Sequence, residues 1–137
     1  DGCDIMVTLR RFNELKVRDI YDGYINAGVM AFRYCNQSLG FIDRWISQFG
    51  YSRADQDAMN RVLLNYSCLF NFGEIFDADG VKVKVLDCDT YNFFYFEDEP
   101  AIEKAKIYHI KGHLRPLYYN KIVEKVLGGN YVIDSRN

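Results

Sequence analysis

The chain has 137 residues, about half of them apolar, with 17 basic and 19 acidic side chains for a formal charge of −2. That length supports a single domain, or part of one, over residues 1–137, burying roughly two thirds of the surface its unfolded form exposes. No basic run exceeds the Arg10-Arg11 pair, so no nucleic-acid partner is expected, and no apolar run approaches the ~20 residues that cross a bilayer.

The first seven residues, DGCDIMV, lack the basic region and cleavage site of a signal peptide, and a cytoplasmic location is expected, with the Golgi lumen as the alternative for a eukaryotic enzyme. Cysteines at 3, 35, 68 and 88 never form C-x-x-C. This spacing argues against a zinc ribbon or redox pair and favours reduced thiols packed as small apolar groups.

In chain order, residues 4–8 (DIMVT) form a short apolar run suited to a buried strand. Residues 9–24 mix charges with an Asp-Gly pair and read as a loop. Residues 25–32 (INAGVMAF) are a second strand candidate. Its Gly28 fits either a bulge or a place where backbone approaches a ligand closely. Leu39, Ile42, Trp45, Ile46 and Phe49 recur at helical spacing over 38–49, and Gly50 follows as a stop. A second helix is expected near Ser52, where Ser52-x-x-Asp55 resembles a capping box and Ala58, Met59, Val62 and Leu63 make one face. Asp55, Gln56 and Asp57 fall in its first turn, a place carboxylates favour for dipole reasons alone.

Residues 65–80 read as loop. Residues 81–86 (VKVKVL) alternate apolar and lysine, the mark of a strand with one wet face. The preceding Asp77-Ala78-Asp79-Gly80 has the spacing of a D-x-D metal motif, but Asp79-Gly80 before an alternating strand is hairpin-turn chemistry, and the turn is preferred. An aromatic run, YNFFYF, occupies 91–96, and a short helix is expected over 101–105. Residues 106–116 (KIYHIKGHLRP) then suggest a strand at 107–110 carrying His109, a loop through Gly112 to Arg115, and a helix opening at Pro116 and running to Leu127. A strand end, a glycine loop and a helix start bring N–H groups and a cation to an anion, and the imidazole can hold a divalent metal.

Four pieces stand in one order: INAGVMAF at 25–32, ADQDAMN at 54–60, VLDCDTYNFF at 85–94 and HIKGHLRP at 109–116. Together, over residues 4–118, they resemble the C-terminal half of a retaining GT-A glycosyltransferase, most like family eight, the glycogenin and galactosyltransferase group. The resemblance implies an α/β fold of GT-A type, a mixed sheet flanked by helices, here lacking its N-terminal nucleotide-binding strands. It implies metal-dependent transfer of a sugar, with retention, from a nucleotide-sugar (a UDP-sugar foremost) to a hydroxyl of a carbohydrate or protein acceptor.

Carried over by position, His109 would be a metal ligand for Mn2+ or Mg2+, Gly112 would offer its N–H to the donor diphosphate, and Arg115 would neutralise the leaving phosphate. Arg115 stands where the family has lysine, and Leu117 where it has tryptophan. Asn26, Ala27 and Gly28 match an N-[AS]-G element beside the sugar and acceptor. Asp55 and Gln56 match the catalytic D-Q pair, the carboxylate on donor-sugar hydroxyls and the amide near the anomeric carbon. The family's D-x-D would precede Asp1: Asp1 and Asp4 are spaced too widely to supply it, and Asp77-Ala78-Asp79 comes too late. The chain by itself is therefore expected to bind donor weakly and not to turn over. The alternatives are a non-catalytic carbohydrate-binding or assembly module of the same fold and, from another class, a metal hydrolase using His109 and His113.

Overall fold

The computed structural model describes residues 2–9, 24–52, 54–92 and 104–109. It is a mixed α/β arrangement in which four strands form one sheet: β1 (Ile5–Leu9), β2 (Ile25–Phe32), β3 (Ile75–Asp77) and β4 (Lys82–Asp87), in the order β2-β1-β4-β3. Helices α1 (Asn36–Ser47) and α2 (Asp55–Leu63) lie between β2 and β3 in sequence, and the one-turn helix α3 (Cys88–Tyr91) follows β4 directly. Among the described residues no helix is long and apolar enough to cross a membrane.

β1 is the strand the others assemble on, antiparallel to β2 and parallel to β4. The parallel register sets Ile5 beside Val83 and Val7 beside Val85, so the odd-numbered side chains of both strands share one face. That face is the core: Ile5, Val7, Leu9, Ile25, Val83 and Val85 pack with Phe41 of α1 and Met59 and Leu63 of α2. Burying Phe41 fully contributes on the order of 1.5–3 kcal/mol. The opposite face carries Lys82 and Lys84 as the alternation requires, but it also carries Thr8, which is fully buried.

The ladder between β1 and β2 breaks between Val7 and Thr8: Val7 faces Met30 while Thr8 faces Asn26. One step on β1 thus spans four on β2, and Ala27, Gly28 and Val29 bulge out of the sheet. The Thr8 hydroxyl closes the neck of this bulge, donating to the Asn26 carbonyl at 2.7 Å, with the Val29 carbonyl at 3.4 Å.

Several expectations are corrected. α1 buries Ser38 and Phe41, whereas Leu39, Ile46 and Phe49 of the expected face are exposed. The helix is apolar on two adjoining stripes, and the one centred on Phe41 faces the sheet. Ser52 does not cap α2, which begins three residues later with Ala54 as its N-cap and no side-chain cap bond. The supposed loop over 65–80 contains a 3-10 segment, Leu64–Leu69, and the strand β3, too short for its alternation to register in sequence. The stretch expected as a strand around His109 shows a single bridge, at Tyr108.

Asp77-Ala78-Asp79-Gly80 is a hairpin turn, as its chemistry suggests. Asp79 and Gly80 both have positive φ, 53° and 81°. Ala78 and Val81 exchange backbone bonds, and Asp77 Oδ1 accepts from Gly80 N–H at 2.7 Å. This is the two-residue primed turn that matches strand twist. The expected helices over 101–105 and 116–127 fall largely or wholly outside the described residues.

Candidate functional site

The site is built on the β2 bulge. Inside it Asn26 is buried, its Oδ1 accepting from Gly28 N–H at 3.0 Å and its Nδ2 facing Cys88 Sγ at 3.9 Å. This is local chemistry that asparagine does well, holding a turn of its own backbone two residues on. The Asn26 side chain therefore shapes the bulge, and the exposed part of the N-A-G element is the backbone around Gly28.

α2 approaches the bulge from its N-terminal turn. Asn60 fixes the approach: its Oδ1 accepts from the N–H groups of Tyr24 (3.1 Å) and Ile25 (2.8 Å), and its Nδ2 donates to the carbonyls of Ile25 (3.0 Å) and Gln56 (2.8 Å). All four hydrogen-bonding positions of the amide are filled. Gln56, one turn earlier, then reaches Ala27, whose N–H donates to Gln56 Oε1 at 3.3 Å. Asp55 stands beside it, exposed, with Oδ1 accepting from Gln56 N–H and its carbonyl accepting from the Trp45 indole at 2.9 Å.

The third approach comes from β4. Asp87 caps α3, accepting from Asp89 N–H and from the Thr90 hydroxyl at 2.7 Å. The short helix delivers Asn92 into the sheet's second face, fully buried, where its Nδ2 donates to Thr8 Oγ1 at 2.8 Å. The Thr90 carbonyl in turn accepts from the N–H groups of Lys106 and Ile107, holding residues 106–109 against α3. His109 thereby lies over Gly28 with its Nδ1 2.8 Å from Asn92 Oδ1. A Cβ on Gly28 would collide with Nδ1 and Cε1 of that ring, so only glycine fits beneath it.

Of the residues singled out in the sequence, Asn26, Ala27, Gly28, Gln56 and His109 fall in one bonded group with Asp55 adjoining. Gly112, Arg115 and His113 lie outside the described residues. Thr8, Asn60, Cys88 and Asn92 complete the group. Asn60 could have been noticed as a polar residue beside the buried stripe of α2. Thr8 and Asn92 sit 84 positions apart, and neither betrays the other in sequence.

The group holds one imidazole, His109, and among the described residues no three His, Cys, Asp or Glu side chains gather as a metal cluster. His109 fits the role of a single ligand in one specific respect: its Nδ1 is engaged by an amide oxygen, the arrangement that orients ligating histidines. A full coordination shell for Mn2+ or Mg2+ would need oxygen ligands besides. Comparison of the chain with family models, with curated proteins and with solved structures returns no match.

Proposed function

We propose that this chain is the metal- and acceptor-binding half of a retaining glycosyltransferase of GT-A type, moving a sugar from a UDP-sugar to a hydroxyl of a carbohydrate or protein acceptor. One observation carries the reading. Each of the four ordered sequence pieces contributes to the same bonded group: Asn26 to Gly28 from the first, Gln56 from the second, Asn92 from the third and His109 from the fourth. Residues recruited from four separated elements to one bulge are expected of a site, and none of them belongs to the apolar cluster between sheet and helices.

In this reading the backbone at Ala27 and Gly28 lies beside the sugar and acceptor. Gln56 has its carbonyl oxygen tied to Ala27 N–H, which sets the amide's orientation near the anomeric carbon. The exposed Asp55 carboxylate accepts from sugar hydroxyls, and Gly112 and Arg115 receive the diphosphate, the guanidinium binding phosphate oxygens in pairs. His109 would hold Mn2+ or Mg2+ together with oxygen ligands, and the ion would supply positive charge toward the diphosphate oxygens, where glycosyl transfer most needs it.

Affinity for UDP should be weak, because a few phosphate contacts barely offset the several kcal/mol of lost translational and rotational freedom. Nuclear magnetic resonance suits such a regime. In the 15N-labelled protein, Mn2+ with UDP should broaden His109 and Gly28 first, and Mg2+ with UDP should shift the same signals together with Gln56. Broadening centred on the Asp77–Asp79 turn, or none at His109, would overturn the proposal.

A further inference from the structure

We infer that Asn92 is a positioning residue which, backed by Thr8, holds neutral His109 in the tautomer protonated at Nδ1, with the ring's lone pair on Nε2. The metal role of His109 rests on the function proposed above. The tautomer does not.

The argument starts from a group whose polarity is fixed. The Asn26 carbonyl can only accept, and the Thr8 hydroxyl has one proton, which lies on that carbonyl at 2.7 Å. Thr8 Oγ1 therefore has only lone pairs for its other neighbour, the Asn92 amide, at 2.8 Å. The same end of that amide is also 3.4 Å from the Asn26 carbonyl. Two acceptors at one end admit only the NH2 there. Turning the amide over would set Oδ1 against both oxygens in a region where Thr8, Asn26 and Asn92 are all buried, leaving acceptors without protons at a cost of about 1–3 kcal/mol each.

With its NH2 committed, Asn92 turns Oδ1 toward His109 Nδ1 at 2.8 Å. An amide oxygen cannot donate, so the proton between them belongs to the imidazole, and in the neutral ring the second nitrogen must then carry a lone pair. The chain of constraint runs from strand β1 through Thr8 and Asn92 to the ring. Cys88 braces it from below, its thiol donating to the Asn92 carbonyl at 3.4 Å. Gly28 supplies the floor that keeps the ring in register. A neutral imidazole held this way keeps its lone pair on Nε2 without the entropy of choosing between tautomers. Partners that orient a ligating histidine typically change metal affinity by about ten- to a hundredfold when removed.

The test is the long-range 1H–15N spectrum of His109, which distinguishes the two neutral tautomers directly, recorded at a pH where the ring is uncharged and without metal. The native protein should show protonated Nδ1 and unprotonated Nε2. Asn92→Ala should release the ring to a mixture of tautomers. A protonated Nε2 in the native protein, or a folded Asn92→Ala variant with an unchanged tautomer, would overturn the inference. Should Asn92→Ala not fold, the native spectrum still decides it. Mn2+ broadening is then read on the same samples. Loss of Mn2+ affinity by about ten- to a hundredfold in Asn92→Ala is the expected result. A correct tautomer with no Mn2+ effect at His109 would sink the metal assignment while leaving the positioning role of Asn92 intact.

Discussion

Replacing Asn60 by leucine should destabilise the protein far more than its size or helix propensity suggests. Leucine has the same branched heavy-atom skeleton and favours helices, so propensity does not oppose it, and its bulkier methyls add only to the cost. The loss is polar. Ile25, whose side chain is fully buried, would lose both partners that Asn60 gives its backbone, the N–H at 2.8 Å and the carbonyl at 3.0 Å, and Tyr24 N–H would lose its acceptor at 3.1 Å. Each buried orphan costs about 1–3 kcal/mol, and partial repair by water at Tyr24 lowers the sum to about 3–5 kcal/mol. That is a large part of the roughly 5–15 kcal/mol that holds a domain together. Urea unfolding followed by circular dichroism measures it as a shift in midpoint. Asn60→Asp, which keeps the acceptor and loses the donor, should fall between the two. A change below about 1 kcal/mol for Asn60→Leu would mean that α2 is held to β2 by its apolar face alone, and that Gln56 is not placed by this amide.

Gly28→Ala should leave the fold but expel the His109 ring, because the added methyl occupies the space of Nδ1 and Cε1. Asn92 Oδ1 then loses its partner at a cost of about 1–3 kcal/mol, and a spectrum showing His109 unmoved would contradict the packing. Tyr66 is held above its ordinary pKa of 10.0, first by the hydrogen bond it gives Asp79 and then by desolvation. The unfolded chain thus ionises first as pH rises, and the stability that Tyr66 contributes is present below pH 10.0 and lost as the pH climbs through its folded value. Asp79→Asn should bring the tyrosinate absorbance transition of Tyr66 to lower pH; an unchanged curve would exclude the bond. Among the three described thiols Cys3 and Cys88 are buried and Cys35 is half-buried, so brief alkylation of the native protein, mapped by mass spectrometry, should mark Cys35 before either of the others.

The fold was legible where one residue pattern has one structural meaning. The apolar run at 25–32 gives β2 with the same bounds, and the valine–lysine alternation gives β4 shifted by one residue. The Asp-Gly pair gives its primed turn because few residues tolerate positive φ. Legibility failed where two patterns competed. α1 is apolar on adjoining stripes, and only the position of the sheet decides that Phe41 goes in while Leu39 stays out. At the site, motif order brought out Asn26, Gln56 and His109, yet the residues that hold them in place are ordinary in sequence. Thr8 reads as one more β-branched strand residue, and Asn92 as a polar residue after a tyrosine. Their meaning is a hydrogen bond across 84 positions, which no local pattern encodes.

The parallel pairing of β1 with β4 also governs the order in which the chain can assemble. Asp4 joins Lys82 twice, its N–H donating to the Lys82 carbonyl at 2.8 Å and its Oδ2 accepting from Lys82 N–H at 2.9 Å, across 78 positions. On a ribosome, β1 is made early and must wait for β4 to emerge before its second edge is covered, several seconds at ordinary synthesis rates of about 5–20 residues per second. Through that interval the edge of β1 that pairs with β4 in the finished sheet lacks that partner. Contacts of such long range make folding slow, since the closing of the loop precedes any return from the contacts it brings. The strand on which the finished sheet depends most is therefore the one most in need of protection while the protein is being made.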